Sequence, residues 1–402
     1  QLVPDEGRTW SNLVALYVET EDYDKALDAA MEAIRLNPRI EQTFLNLGLL
    51  FQRLNDYDRA IESYRRALEI DPDYSMAASN LAHLLLAKGE IEDGWDLYGH
   101  AFNAGLRQPA RRFNVDLWKG EDISRETILL WKEQGVGDDI RFSGCYPDVI
   151  ARAGKVIIET DPRLVTLYQR SFPEAHVRAE RWMRQHEYIG PPDYSRHAPC
   201  AHLPGILRRS LADFPQHEGY LKADPARVAH WRQQIEACGD GIRIGLAWRS
   251  MRRTRARDNV YSTLLDWVPL METEGLTFIN LQYDNASAEI AELKDKTGLT
   301  LHVMDGVNLK DELDEAAAVT RACDLVISAG TSVADMAGAL GVPLMFYGEA
   351  RHAMQLGTGE FPWYPASRIF GRGYRQPIAE IVDAITRAVQ DFNESYRAGN
   401  LG

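Results

Sequence analysis

The sequence predicts an α-solenoid at the start of the chain, followed by an α/β part that contains two parallel sheets. A pattern of aromatic, small and proline residues recurs every 34 positions, as between Trp10 and Phe44 or between Pro38 and Pro72. From residue 127 onward, short apolar runs alternate with amphipathic stretches, which is typical of strands and helices that follow one another. Stacked helical repeats form a solenoid, and alternating strands and helices form parallel sheets.

Composition narrows the class of protein. The net charge is −14, from 45 basic and 59 acidic residues among 402, which argues against a general nucleic-acid or anionic-membrane binder. The four cysteines are far apart and form no Cys-x-x-Cys, so we expect a reducing cytoplasm and neither a zinc site nor a disulfide scaffold. No bilayer-spanning apolar run or signal peptide is visible. Because Gln1 stands almost at the start of a repeat, we expect further repeats upstream.

The periodic segment divides into repeats at 7–40 and 41–74, with a weaker third at 75–105. The positions shared by the first two are Trp10 and Phe44, Asn12 and Asn46, Tyr23 and Tyr57, Ala26 and Ala60, and Pro38 and Pro72. This pattern resembles the tetratricopeptide repeat (TPR), in which each repeat folds as two helices. The third repeat has Gly94 in place of the alanine and lacks the proline, as expected of a terminal repeat. The resemblance implies that residues 1–105 form an arm that holds another protein.

One asparagine recurs at the same phase of the three repeats. Asn12, Asn46 and Asn80 fall on the first helix of each repeat, which lines the concave face of TPR arrays. A side-chain amide both donates and accepts hydrogen bonds, so a ladder of them binds an extended peptide with little sequence preference. O-GlcNAc transferase uses a ladder of this sort, and the likeness implies acceptor binding here. The alternative is that asparagine is simply common at this position in TPRs.

The rest of the chain is predicted to contain a linker, two α/β domains and a closing helix. Residues 106–122 show no periodicity and form the linker. The first domain covers 123–225, and the second, where the strand–helix pattern restarts, covers 226–375. The closing helix lies within 376–402 and is predicted to cross back to the first half.

Individual elements of the two domains can be assigned from the same alternation. The predicted strands are 127–132, 155–160, 241–248, 276–282, 299–303, 324–328 and 343–347, and the predicted helices are 140–153, 261–271, 287–297, 311–321 and 333–340. Two Rossmann-like domains with a cleft between them are expected, because ligands bind at the carboxyl ends of parallel strands.

Three segments of the α/β part resemble the TPR-containing glycosyltransferases of bacteria. They are Leu-Trp-Lys-Glu-Gln-Gly-Val-Gly-Asp at 130–138, Gly-Leu-Ala-Trp at 245–248 and the stretch from Thr331 to Pro343. The catalytic part of that family is similar to heptosyltransferases and, more distantly, to O-GlcNAc transferase. The resemblance implies a GT-B fold with an acceptor domain, a nucleotide-sugar donor domain and transfer of a sugar to a protein. Some relatives modify flagellin, so flagellin is a candidate acceptor.

The turn after the first strand is the first candidate for chemistry. Gly135 and Gly137 let the backbone approach an acceptor closely, and the helix that follows favours a carboxylate at its N-terminus. Heptosyltransferases place their proposed base in a matching Gly-Asp turn, which implies that Asp138 takes the proton from the acceptor hydroxyl. Asp139 is the second candidate. Either aspartate could instead simply cap the helix.

Five arginines follow the strand at 241–248. They are Arg249, Arg252, Arg253, Arg255 and Arg257. Guanidinium groups bind phosphate oxygens bidentately and would stabilise a leaving nucleotide without a metal. We predict phosphate contacts from Arg249, Arg252 and Arg257, with Arg249 first because it is nearest the strand end. The alternative is a solvated basic loop.

A second turn is predicted to hold the donor. Gly330, Thr331 and Ser332 join a strand to a helix and form an anion cradle, with Asp335 one turn further. Heptosyltransferases have Asp-Thr-x-x-x-His here, and this chain departs from that pattern, which argues against an ADP-heptose donor. O-GlcNAc transferase has Thr-Thr-x-x-Asp followed by Gly-x-Pro, and that likeness implies that Asp335 binds the ribose. The alternative for Asp335 is a helix residue that pairs with a neighbour.

Weaker candidates complete the donor side. Gln282 ends a strand and is predicted to contact the base or sugar, and Glu349 follows the strand at 343–347. The aromatic segment 361–365 could stack on a ligand but is more typical of a packed turn. No Asp-x-Asp motif stands out in the predicted cleft, and the histidines lack metal-ligand spacing, so transfer is predicted to need neither a metal nor a cofactor.

These features favour a metal-independent glycosyltransferase, with a nucleotide-sugar as co-substrate and a protein or peptide held by the TPR groove. A second hypothesis is a catalytically degenerate TPR scaffold, which the altered donor motif would suit. A third is a transferase acting on a glycan or lipid-linked sugar, or an epimerase of similar architecture. The repeats argue against the epimerase, because it needs no protein-binding arm.

Overall fold

A computed structural model describes residues 6–105, 111, 113–180, 192–251, 260–373 and 376–397. The chain divides into two compact units. The first consists of Gln1–Ala110 and His352–Gly357, and the second consists of Arg111–Arg351 and Thr358–Gly402.

The first unit is built mainly from helix pairs that follow the predicted repeats. Its helices are α1 (Glu6–Glu19), α2 (Tyr23–Leu36), α3 (Glu41–Arg53), α4 (Tyr57–Ile70), α5 (Ser75–Lys88), α6 (Ile91–Tyr98) and α7 (His100–Asn103). Ala26 and Ala60 are completely buried in this unit. A Cβ atom on Gly94 would lie 2.7 Å from Leu86. These positions therefore accept only small residues, as the sequence period indicated.

The turns inside the first two repeats are closed in the same way. Asp22 and Asp56 each accept a hydrogen bond from the backbone N–H three residues later and so cap α2 and α4. The residues just before them, Glu21 and Asn55, have φ values of 61° and 60°. The 34-residue period of the sequence therefore corresponds to a repeated local turn as well as to a repeated buried helix face.

A short segment from far along the sequence belongs to the first unit. His352–Gly357 contains a 3₁₀ turn, Ala353–Gln355, which contacts α5. Gly357 and Gly89 meet backbone to backbone: a Cβ on Gly357 would lie 2.6 Å from the Cα of Gly89, and both have positive φ. No side chain fits at this contact without strain.

The second unit contains two sheets, the first of them in residues 111–225. Its strands are β1 (Asp116–Leu117), β2 (Thr127–Trp131), β3 (Lys155–Thr160), β4 (His176–Ala179) and β5 (Arg196–Pro199), and its helices are α8 (Val136–Phe142), α9 (Tyr146–Ile150), α10 (Val165–Ser171) and α11 (Leu203–Leu207). The strand order is β1-β5-β2-β3-β4, with parallel pairing throughout. In β2, residues 128–130 are completely buried, as expected where a parallel sheet is covered on both faces.

The second sheet is built from the later part of the chain. Its elements are α12 (Pro225–Glu236), β6 (Ile242–Ala247), α13 (Val268–Met271), β7 (Leu276–Asn280), α14 (Ser287–Thr297), α15 (Leu313–Ala322), β8 (Leu325–Ala329), α16 (Ser332–Ala339), β9 (Leu344–Glu349), β10 (Ser367–Arg372) and α17 (Ile378–Arg397). The order is β10-β9-β8-β6-β7, again parallel. The predicted fold class, a helical repeat arm followed by two parallel α/β domains, is confirmed.

Some predicted elements differ from the structure. The predicted strand 299–303 is reduced to one bridge between Ile279 and His302. The predicted helix 261–271 is a 3₁₀ turn, Leu264–Trp267, that continues into α13. The end of the predicted linker, Asp116–Leu117, pairs with β5. Short β4, β5 and β10 carried no clear sequence signal.

The closing helix packs in the second domain. Ile381, Val382 and Ile385 of α17 lie in one hydrophobic core with Ile244 of β6 and Trp267. The buried face of this helix is therefore part of the hydrophobic core of the second domain. It does not contribute to the predicted crossing back to the first half.

Candidate functional site

A pocket of about 210 Å³ lies between the two α/β domains. The first domain contributes Val136, Ile140 and Arg163, and the second contributes Met251, Leu281, Tyr283, Leu309, Lys310, Leu313, Ala316, Thr320, Ser332, Val333 and Met336. Met251, Leu281 and Ser332 come after β6, β7 and β8. The pocket is therefore at the carboxyl edge of the second sheet, where open α/β folds bind their ligands.

The walls of this pocket are mainly apolar, with two basic side chains among them. Arg163 is held by Asp161, whose Oδ1 accepts from Nε at 2.8 Å. Its Nη1 donates to the carbonyl of Lys310 at 2.8 Å, which joins the first domain to the loop before α15. The side chain of Lys310 is exposed. Neither residue stood out in the sequence, because isolated basic residues in loops carry no motif.

A second pocket of about 290 Å³ shares Tyr283 and Leu309 with the first. Its other lining residues are Asn280, Gln282, Asp284, Val303, Met304, Val307 and Asn308. Amide and carboxylate groups make this pocket more polar than its neighbour. The two pockets together give the second domain an apolar compartment beside a polar one.

Asp138 lies in the first turn of α8, and its side chain is 32% exposed. Val136 and Ile140 of the same helix line the apolar pocket, whereas Asp138 is not among the described lining residues. Gly135 is open, because the nearest atom to a Cβ there would be Asp138 Oδ2 at 3.9 Å. The carboxylate thus lies next to the predicted acceptor turn and is accessible to solvent.

Gly137 is explained by helix packing. A Cβ there would lie 2.6 Å from Asp335 Oδ2 and 3.3 Å from Ser332 Cα. The lack of a side chain therefore lets α8 contact α16. The packing of the two helices explains the glycine at position 137 without a contact to an acceptor. Gly135 has no such explanation and remains a predicted acceptor contact.

Asp139 is completely buried, unlike Asp138. Its carboxylate accepts hydrogen bonds from Thr160 Oγ1 at 2.6 Å and Tyr168 Oη at 3.4 Å. Burial raises the pKa of Asp139 to about 7. It ties β3 and α10 to α8 and presents no surface to a substrate, so this geometry argues against the prediction that it is a base.

Asp335 is held by Arg141 of α8. Nε and Nη2 of Arg141 donate to Asp335 Oδ1 at 3.0 and 2.8 Å, and Nη2 lies 3.1 Å from Oδ2. Tyr364 Oη donates to Oδ1 at 2.8 Å. The residue is 4% exposed, and burial raises its pKa although the Arg141 cation opposes the shift. The predicted ribose contact would have to compete with these donors.

The turn before α16 adjoins the apolar pocket. Thr331 caps the helix, since its Oγ1 accepts from the N–H of Val333 at 3.3 Å. Ser332 and Val333 line the pocket, and Gly330 is exposed. Of the predicted cradle, Ser332 is thus placed to meet a ligand directly, while Thr331 orients the start of α16.

Arg249 is engaged by carboxylates. Its guanidinium pairs with Asp284 and Glu289, with Nε 3.2 Å from Glu289 Oε1. Gln282 accepts from the N–H groups of Trp248 and Arg249 and donates to the Arg249 carbonyl and to Asp284. Both side chains brace the loops after β6 and β7, so a phosphate or base contact would require them to exchange partners. Arg252 and Arg257, like Arg253 and Arg255, lie outside the described residues.

Two further predicted regions follow the donor turn along the chain. Glu349 ends β9 and is exposed. In the aromatic segment, Phe361, Trp363 and Tyr364 are buried at 2–3% exposure. Phe361 and Tyr364 stack at 5.3 Å, and Trp363 packs edge-on against Phe142 at 5.5 Å. This segment therefore builds the core around Asp335.

The three asparagines of the repeats are not equivalent. Asn12 is exposed, Asn80 is half-buried and Asn46 is 2% exposed. The amide of Asn46 donates to the Ser11 carbonyl at 2.8 Å and accepts from Gln42 at 3.0 Å. Asn46 thus joins two repeats, and only the outer two could meet a peptide without giving up such bonds.

Two classes of site are absent from the part of the chain that the structure describes. No group of three or more His, Cys, Asp or Glu residues there could hold a metal ion. No helix within those residues is long and apolar enough to cross a membrane.

Comparison with known proteins identifies the repeats and one relative that is similar over most of this chain. Residues 7–40 and 42–74 each match a tetratricopeptide repeat model, which confirms the first two predicted repeats. Over 327 residues the chain is 33% identical to Protein FlbA of Caulobacter vibrioides, a match that covers 78% of this chain and 55% of that protein. The chain thus spans about half the length of this relative.

Solved structures also align with about two thirds of the chain, as follows. A glycosyl transferase family 9 protein from Veillonella parvula gives a TM-score of 0.48 at 10% identity, covering 66% of this chain and 93% of that one. ADP-heptose lipopolysaccharide heptosyltransferase II of E. coli gives 0.45 at 14% identity, covering 66% and 99%.

Proposed function

We propose that this chain is a cytoplasmic glycosyltransferase that moves a sugar from a nucleotide-sugar to a protein recruited by its TPR arm. The observation that carries the proposal is the pocket between the two α/β domains, at the carboxyl edge of the second sheet. It combines an apolar interior with Arg163, Lys310 and the N-terminus of α16. A nucleotide-sugar carries a planar base and an anionic phosphate as well as a sugar. The apolar interior suits the base, and the basic side chains and the helix N-terminus suit the phosphate.

In this proposal the donor lies in the apolar pocket, with its phosphates near the basic side chains. Arg163 is already oriented by Asp161, and the exposed Lys310 is free to swing toward an anion. As the bond from the anomeric carbon to the phosphate oxygen breaks, negative charge grows on the leaving nucleotide. Cations beside the phosphates stabilise that charge more than the charge of the ground state, which is how they would accelerate the step.

Asp138 is proposed as the general base. The acceptor hydroxyl gives its proton to the Asp138 carboxylate while its oxygen bonds to the anomeric carbon. The exposed position of Asp138 beside the open Gly135 supports this role.

A transfer assay with an Asp138→Asn variant tests the proposal. Unglycosylated flagellin, the proposed acceptor, would be incubated with a panel of nucleotide-sugars and its intact mass measured. We expect one donor to add a sugar mass, and Asp138→Asn to lower the rate about 10²- to 10⁴-fold, the usual contribution of a general base. Asp116→Asn, at an 87% exposed carboxylate, is the control and should keep wild-type rates.

The same assay tests metal independence, because EDTA should leave the rate unchanged. No mass gain with any donor, or an Asp138→Asn variant as fast as wild type, would count against the proposed mechanism. A mass gain on a glycan or lipid-linked sugar, and not on protein, would favour the alternative acceptor class.

A protein-binding scaffold without catalysis is the second candidate. It is favoured by the internal pairing of Arg249 and Asp335, two predicted donor ligands. Such a scaffold would bind the acceptor through the repeats and would not bind any nucleotide.

A further inference from the structure

The segment 309–313, which leads into α15, forms a wall that the two pockets share. Leu309 lines both pockets, and Lys310 and Leu313 line the apolar one. Two later residues of α15 continue the same wall of the apolar pocket, Ala316 and Thr320. The shape of the proposed donor site therefore depends on where this wall segment and the start of α15 lie.

Arg170 of α10, in the first domain, holds the start of α15. Its Nη1 and Nη2 donate to Oδ1 and Oδ2 of Asp314 at 2.8 and 2.9 Å, a bidentate geometry that makes such pairs strong and specific. The two side chains are 24% and 13% exposed, so water and salt screen the pair only in part. Because Asp314 directly follows Leu313, the pair fixes the end of the wall segment.

The same guanidinium also holds the chain that connects the two domains. Arg170 Nη1 donates to the carbonyl of Lys222 at 3.0 Å, and the N–H of Lys222 donates to the Ser171 hydroxyl at 2.9 Å. Lys222 lies three residues before Pro225, where α12 begins. Arg170 therefore ties α10 both to this connection and to α15.

Arg163 contacts the wall segment near its other end, where its Nη1 donates to the Lys310 carbonyl at 2.8 Å. Two arginines of the first domain thus hold a segment of the second domain at two points. Arg163 also lines the apolar pocket, so its substitution would remove a proposed phosphate contact as well. Arg170 is not among the described residues that line either pocket, so its effect on a ligand has to pass through the wall segment.

We infer that Arg170 is a positioning residue for the proposed donor site and that it holds the wall segment in place through Asp314. The inference rests on the proposed function, because it takes the pocket to bind the nucleotide of the donor. It adds a residue of the first domain to the determinants of donor binding, although that residue does not touch the ligand.

Nucleotide binding to the full chain tests this role. Isothermal calorimetry with UDP, GDP, CMP, CDP and ADP identifies the nucleotide that wild type binds, and its Kd is then measured for Arg170→Gln and Asp314→Asn. Each variant should raise the Kd about tenfold, within the range usual for residues that act on a binding site without touching the ligand. The double variant should bind no more weakly than the weaker single variant, because both substitutions break one pair. Asp314→Asn serves alone if Arg170→Gln does not fold.

Arg232→Gln is the matched control. Arg232 of α12 donates to the Ala322 carbonyl at 2.8 Å and to Asp324 at 2.7 Å, so it holds the opposite end of α15. Its loss should lower the Tm and leave the Kd unchanged. An unchanged Kd in both Arg170→Gln and Asp314→Asn would overturn the inference. An equal rise of the Kd in Arg232→Gln would also overturn it, because any loosening of α15 would then weaken binding.

Amide hydrogen exchange without nucleotide separates this inference from the proposed function. Arg170→Gln should speed exchange in the N-terminal half of α15, and Arg232→Gln should act mainly on its C-terminal half. A wild-type chain that binds none of the nucleotides would refute the proposed function and with it the role of Arg170 in donor binding, even where exchange shows that the pair holds α15. A wild-type chain that binds one, with exchange and Kd both unchanged in Arg170→Gln, would refute the role of Arg170 alone.

Discussion

Individual side chains in the second unit have roles set by the partners they meet. Arg249 and Arg141 both pair with carboxylates, yet one braces two loops through Asp284 and Glu289 and the other links two helices through Asp335. Asp138 and Asp139 are adjacent, yet only the first reaches solvent. The residue types that suit chemistry were readable in the sequence. Their partners were not, because the carboxylates that pair with Arg249 and Arg141 lie 35 to 194 positions away.

Asp139 gives a prediction about stability and pH. Burial raises its pKa to about 7 in the folded chain, whereas an unfolded aspartate titrates near 4. Between these values the folded state holds a proton that the unfolded state has lost, so this group makes stability fall as pH rises from about 4 to about 7. Asp139→Asn removes the titration and retains an acceptor for Thr160. We expect its free energy of unfolding to improve relative to wild type between pH 5 and pH 8.

Urea unfolding at several pH values measures this difference. Asp116→Asn, at an exposed carboxylate, should track wild type at every pH. A gap between Asp139→Asn and wild type that stays constant with pH would contradict the assigned burial effect.

At the level of elements, the contact between α8 and α16 organises the candidate site. Both helices follow strand ends, and both contribute their first residues to the apolar pocket. Gly137 allows the close approach, and the buried segment around Tyr364 fills the space behind it. The pocket therefore depends on how these two helices pack as well as on the residues that line it.

Gly137→Ala tests that dependence. The added Cβ would meet Asp335 Oδ2 at 2.6 Å, so the helices must separate or the Arg141 pair must shift. Overpacking of this kind costs about 1–3 kcal/mol, and we expect a lower Tm and weaker nucleotide binding. Gly135→Ala is the matched control, because its nearest contact would be 3.9 Å away. Equal Tm values for the two variants would contradict the close packing.

The contact between Gly89 and Gly357 gives a second element-scale prediction. Alanine at Gly357 combines a positive φ with a 2.6 Å clash against the backbone of Gly89, and neither can relax through a side chain. We expect the first unit to lose stability, seen as faster amide exchange in α5 and in residues 352–357. Gly359→Ala, where no atom lies within 4 Å of the new Cβ, should leave exchange unchanged. Unaltered exchange in Gly357→Ala would contradict the contact.

Periodicity explains which elements the sequence predicted well. The 34-residue period indicated the buried alanines of the repeats, and long apolar runs such as 155–160 gave strands with correct bounds. Short strands such as Asp116–Leu117 and Ser367–Arg372 exist because neighbouring strands pair with them. That stabilisation comes from distant residues and leaves little local pattern. The closing helix shows the same limit: its amphipathic face was readable, but the core that receives it was not.

At the level of the whole molecule, a repeat unit and a two-sheet unit are carried on one chain. The chain passes between the units near residues 110, 351 and 357. In the proposed function, the repeats bind the acceptor protein and the pocket of the two-sheet unit binds the nucleotide-sugar. Protein glycosylation is the activity that uses both, and it depends first on whether the pocket binds a nucleotide.

Isothermal calorimetry with UDP, GDP, CMP, CDP and ADP tests that central claim most directly. The proteins compared are wild type, Arg163→Gln in the pocket and Arg152→Gln at an exposed site elsewhere in the same domain. We expect one nucleotide to bind selectively, Arg163→Gln to weaken its binding about tenfold or more, and Arg152→Gln to leave its binding unchanged. Flat traces for all five nucleotides, with and without an acceptor protein, would contradict the donor site and favour the scaffold.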